Sequence, residues 1–216
     1  MLNSKCVRFF ATLGLALGFQ CLASDDQILN KKISVQARTA RPVDYIALIL
    51  REGGTPGGIE DFASGCEEDS ELQMPPLEGT LGDGLRLTRR RAGVLRWQPL
   101  NNFLLVVKGA PVPSILDTKV NDFTFNVSDP PSKTTNILLT TPAATSRMTQ
   151  LGMSVGSPEL GFAQAKKQSD EKVDLKDVTV LEILNVIAKS PRPRVWLYRQ
   201  RTCGGHTIVT VNWPVK

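Results

Sequence analysis

The chain has 216 residues, 41% of them apolar and 22% charged, with a formal net charge of +5. That balance excludes a disordered or collagen-like chain, and no apolar run reaches the roughly 18–20 residues that span a bilayer. The length suits one or two small domains.

The chain opens on an address. Lys5 and Arg8 precede the apolar run 9–19, and Gln20-Cys21-Leu22-Ala23-Ser24 supplies small residues for cleavage. This layout predicts a signal peptide over 1–24 and an exported protein, periplasmic or extracellular, with no membrane span in its mature form. The mature chain keeps 24 basic against 21 acidic side chains, a net +3, which does not point to nucleic acid. Two cysteines remain, Cys66 and Cys203. In an oxidising compartment they can form a disulfide or stay as two separate thiols.

Residues 31–37 alternate, with Ile33, Val35 and Ala37 on one side, and predict a half-buried strand. Pro42 suits a helix first turn, Val43, Ile46, Ala47 and Leu50 give its apolar stripe, and Gly53-Gly54 stops it. A short strand over 57–60 and an acidic loop over 60–71 follow. Thr80 and Asp83 form a capping box that opens a second helix, ended by Gly93. A hairpin over 94–98 and 103–108 completes a first module, 25–108. Residues 109–118 read as a linker. The second module, 119–216, holds a strand near 120–127, a helix capped by Ser132, another over 143–151, an exposed loop over 156–170 and a short strand over 173–175. A helix capped by Thr179 and Glu182 leads into a closing hairpin around Cys203-Gly204-Gly205.

The halves echo one another at a constant offset of 99 residues. Thr80 matches Thr179, Leu81 matches Val180, Asp83 matches Glu182, Leu85 matches Leu184 and Trp97 matches Trp196. The echo reads as duplication of one unit, with chance or a shared αββ architecture as the alternative. The expected fold class is α+β: two small modules, each a short sheet with helices on one face.

Residues 32–107 resemble the secretin and TonB-receptor short N-terminal module, a βαβ–βαββ unit of bacterial envelope proteins. The resemblance rests on Ile33-Ser-Val35, Tyr45-Ile-Ala-Leu-Ile-Leu50, the segment Leu77 to Leu85, and the hairpin Val94-Leu-Arg-Trp97 to Leu104-Leu-Val-Val107. Residues 173–213 are similar to the second half of such a module. No barrel or channel sequence follows the module here, so the resemblance implies a non-catalytic periplasmic docking domain and neither a pore nor a siderophore transporter.

Candidate chemistry is sparse. His206, the single histidine, lies near Cys203, and a small Cys/His hydrolase is one alternative, although no orienting acid is identifiable. The histidine and two distant cysteines do not make a zinc set, and the acidic loop lacks calcium-loop spacing. No cofactor, metal or catalytic set is expected, and the chain reads as a non-enzyme. The candidate interaction surface is Trp196, Tyr198 and Trp213 on the closing hairpin, with Arg89, Arg90 and Arg91 at the end of the second helix. A second basic group comprises Lys189, Arg192, Arg194, Arg199 and Arg201. The expected function is docking to an envelope protein partner. A small-molecule or glycan site at the module junction is the other alternative.

Overall fold

The computed structural model describes residues 27–100, 102–156, 171–190, 192 and 194–214. The expected signal peptide and residues 157–170 of the expected exposed loop lie outside the described residues.

The first half runs β1 (Lys32–Val35), β2 (Arg38–Ala40), α1 (Pro42–Glu52), β3 (Gly57–Ser64), β4 (Leu72–Met74), β5 (Leu77–Thr80), α2 (Leu81–Ala92), β6 (Leu95–Leu100) and β7 (Phe103–Lys108). Pro42 starts α1 where its missing N–H has no intrahelical role, and the stripe Val43, Ile46, Ala47, Leu50 is buried. The second half runs β8 (Lys119–Asn126), α3 (Pro131–Leu139), α4 (Pro142–Gln150), β9 (Met153–Val155), β10 (Lys172–Thr179), α5 (Val180–Lys189), β11 (Val195–Cys203) and β12 (His206–Asn212). Both expected capping boxes form: Asp83 N–H donates to the Thr80 hydroxyl and Glu182 N–H to that of Thr179. The cap expected at Ser132 does not. Pro130 stands at that N-cap, with no side-chain bond, and α3 begins one residue before the serine.

One pairing scheme occurs in both halves. β1 pairs with β5 as β8 pairs with β10, both antiparallel, and β6–β7 and β11–β12 are antiparallel hairpins. β3 lies parallel to β7, as β9 does to β12. The two three-strand sets then join through β3 and β11, parallel from Gly57↔Val195 to Ser64↔Thr202. The result is a mixed six-stranded sheet in the order β6-β7-β3-β11-β12-β9.

This junction inverts the second half. β6 is antiparallel to β3, whereas its counterpart β11 is parallel to it, so the second set of strands is turned over and its helices cover the opposite face. Alternate residues record both faces. Val195, Leu197, Ile59, Leu104 and Val106 pack with α1 and α2, while Trp196, Tyr198, Phe62, Phe103 and Leu105 pack with α5 and α3. The α+β class is as expected, and each half carries its helices on one face, but the two sets of strands do not form separate sheets. The halves share one sheet, covered on both sides. The connector after β7 packs inward as well, with Ser114, Ile115 and Leu116 buried.

The acidic loop expected over 60–71 is also corrected. β3 extends to Ser64 as an inner strand, so Glu60 and Asp61 belong to the sheet. Only the stretch after it is a loop, and it returns over the sheet end to form β4.

Candidate functional site

The inner position of β11 decides the fate of the expected aromatic surface. Trp196 and Tyr198 are both 0% exposed, which removes them from any docking face. Trp196 donates from Nε1 to Asn185 Oδ1 of α5 at 3.1 Å and stacks on Phe103 at 6.4 Å between centroids. Its indole lies on bare backbone of the other half: a Cβ added at Gly58 would fall 2.1 Å from the ring. Tyr198 donates to Gln200 Oε1 at 2.7 Å, and Gln200 Nε2 donates to the Pro113 carbonyl at 3.0 Å. Burial pushes the Tyr198 phenol well above its usual range. Trp213 is half-buried and donates to Thr135 Oγ1 at 2.9 Å, which ties the chain end to α3. The first six residues of the hairpin, Val195 to Gln200, are core. The signal was present in the sequence: Val195 to Tyr198 are apolar on both faces, as a strand covered on both sides must be.

The arginines separate into two fates. Arg89, Arg90 and Arg91 are exposed in the last turn of α2, where cations suit the helix C-terminus, with Arg86 exposed one turn before them, whereas Arg96 on β6 faces the other side of the sheet near Glu60. Val94, 64% exposed, follows the Gly93 that ends the helix. Arg86 pairs with Asp83 at 2.7 Å and Arg91 donates to the Gln73 carbonyl at 3.2 Å. This rim flanks β6, an outer strand of the sheet, and Pro99 within β6 removes one of its ladder donors.

The second basic group does not form a face. Lys189 and Arg192 remain exposed, but Arg199 is 9% exposed and Arg201 turns inward. Asp61, at 0% exposure, accepts from Arg199 Nε on β11 and Lys108 Nζ at the end of β7, both at 3.0 Å. Lys108 also reaches Asp69 at 2.8 Å. Arg201 donates to the Glu67 carbonyl and Glu68 accepts from Arg41 at 2.7 Å. The acidic loop therefore supplies counter-ions and acceptors at the end of three parallel strands.

Cys66, just past β3, and Cys203, ending β11, are joined in a disulfide with Cα atoms 4.8 Å apart. His206 sits across the hairpin from Cys203 in register and is exposed. A cysteine nucleophile acts as thiolate, and a disulfide sulfur has none to offer. Among the described residues no group of three or more His, Cys, Asp or Glu is placed to hold a metal ion, and no helix is long and apolar enough to cross a membrane.

Glu60 on β3 is an unabsorbed titratable group. Burial pushes its carboxyl up to about 7, with Asp117 adding to the rise and Arg96 opposing it. The folded state thus binds this proton more tightly than the unfolded chain, whose value is near 4.5. Stability from this group is present at low pH and lost as pH rises from about 4.5 to about 7. Glu60→Gln is expected to flatten that decline, so that the variant gains on the wild type in thermal midpoint between pH 5 and pH 8. A constant difference across that range would contradict the assignment.

No protein-family model, curated protein or solved structure matches the chain.

Proposed function

We propose that the chain is an exported, periplasmic, non-catalytic docking protein of the bacterial envelope, built from two modules like the secretin and TonB-receptor short N-terminal unit. The order β1-α1-β3 followed by β5-α2-β6-β7 supports this reading, because it is the βαβ–βαββ order that the resemblance implies. The observation that carries it is the rim at the end of α2. Exposed Arg86, Arg89, Arg90 and Arg91 lie on α2 and exposed Val94 follows its end, a combination suited to an acidic partner surface with an apolar element. The module junction is filled by Trp196, Tyr198 and Phe103, so no observation favours a ligand there.

The test is retention of a partner from crosslinked native envelopes. The charge reversals Arg89→Glu and Arg90→Glu together are expected to lower recovery of a stoichiometric envelope protein several-fold while leaving thermal unfolding intact, since both side chains are exposed. Recovery equal to wild type would overturn the assignment of this rim.

A further inference from the structure

Apart from the six-stranded sheet, residues 32–40 and 72–80 form one antiparallel ribbon. Its pairs from Lys32↔Thr80 to Ala40↔Leu72 keep a single register, interrupted where Pro76 and Pro75 stand opposite Gln36 and Ala37. Leu81 N–H donates to the Lys31 carbonyl at 2.9 Å. Antiparallel alternation then turns the backbone groups of Ile33 and Val35 toward the partner strand, and those of Ser34, Gln36 and Arg38 toward the opposite edge. No described strand pairs with that edge.

Helix α1 runs beside the edge, and a groove lies between them. It consists of two adjoining cavities of about 330 and 220 Å³ that share Arg38 and Leu48. Ser34, Gln36 and Glu52 line the first, and Tyr45 lines the second. Groove walls made of a strand edge and a helix ridge accept an extended peptide: main-chain hydrogen bonds hold it, and alternate side chains meet the helix. Leu48, half-buried, is the apolar contact available to them.

The second cavity is lined by two cations, Arg38 and Arg51, against one anion, Asp44, which is already paired with Arg41 Nε at 2.6 Å, so its balance suits a carboxylate. Tyr45 is 0% exposed and its hydroxyl has no hydrogen-bond partner, an unpaired donor whose isolation is costly. Burial pushes the Tyr45 phenol up, and Arg38, which is exposed and makes no ion pair among the described residues, partly opposes that rise. A guanidinium and a hydroxyl together complement one carboxylate. Glu52, at the other cavity, disfavours an anion there.

We propose that this groove docks the carboxy-terminal end of an extended peptide from a partner protein, running in the direction of β1. The peptide's main chain pairs with Ser34 and Gln36, an apolar side chain rests on Leu48, and its free carboxylate lies between Arg38 and Tyr45. This names a second surface and a partner chemistry for the docking reading, on which it rests.

The probe is acetyl-Thr-Val-Thr-Val with a free carboxylate, titrated into the isotope-labelled mature chain and followed by amide shifts. Saturable shifts at Ser34, Gln36, Arg38 and Leu48 are expected, with the amidated peptide binding about tenfold more weakly. Arg38→Glu is expected to abolish that preference. Tyr45→Phe removes only an unpaired hydroxyl, so the variant keeps its fold and is expected to bind the acid form less tightly. Absent shifts at millimolar peptide, equal binding of acid and amide, or acetate alone reproducing the shifts would each overturn the proposal. An envelope partner retained by a chain that ignores the peptide would sink the groove and leave the docking reading standing. Peptide binding without any envelope partner would do the reverse.

Discussion

Replacing Cys66 and Cys203 with serine is expected to lower the unfolding free energy by about 5 kcal/mol on the loop-entropy model, the upper end of the usual range. The bond spans 137 residues, so the unfolded chain without it regains the freedom of a loop covering more than half of the chain. It also fastens the ends of β3 and β11, the two strands through which the halves meet. Against a typical domain stability of roughly 5–15 kcal/mol, such a loss removes about a third of it or more. Urea unfolding followed by tryptophan fluorescence checks it, with wild type in reductant as the parallel sample. An unchanged midpoint in both would contradict this role.

The second large effect belongs to Asp61. Its carboxylate is fully buried and accepts from both Arg199 and Lys108, one cation on each neighbouring strand. Asp61→Ala leaves Arg199, 9% exposed, without its anion, while Lys108 keeps Asp69. Removing one partner of a buried ion pair costs about 3–5 kcal/mol, because the remaining charge stays desolvated and uncompensated. The double change Asp61→Ala with Arg199→Met is expected to recover much of that loss, since two apolar groups need no counter-ion. Chemical denaturation of the three variants checks the cycle. A single variant within 1 kcal/mol of wild type, as measured, would show that water reaches the site.

Local chemistry made much of this fold legible. Thr80 and Thr179 announce their helices because a capping hydroxyl and the acid three residues on are read from adjacent positions. The 99-residue offset carried Trp97 and Trp196 to the same place in β6 and β11. What stayed hidden was set by distant chain. Glu60 and Asp61 look like loop residues until Lys108 and Arg199 arrive from the neighbouring strands. β4 and β5 are split by Pro75-Pro76, which reads as a break although the register continues across it. β9 is three residues long, below what alternation can signal. The tryptophan surface failed for a related reason. Side chains that suit an interface suit equally the seam between two halves of one chain, and only the β3–β11 pairing decides between them.

The two halves form one shared sheet whose inner strands are core, while the strand edge 34–38 has no partner strand among the described residues. Native-state hydrogen exchange on oxidised residues 25–216 tests both points most directly. Amides of β3, β7 and β11 are expected to exchange only through a common global opening, while those of Ser34, Gln36 and Arg38 exchange orders of magnitude faster. If β3 and β11 opened in separate classes, one for each half, or if the edge amides were as protected as the core, the account would be contradicted.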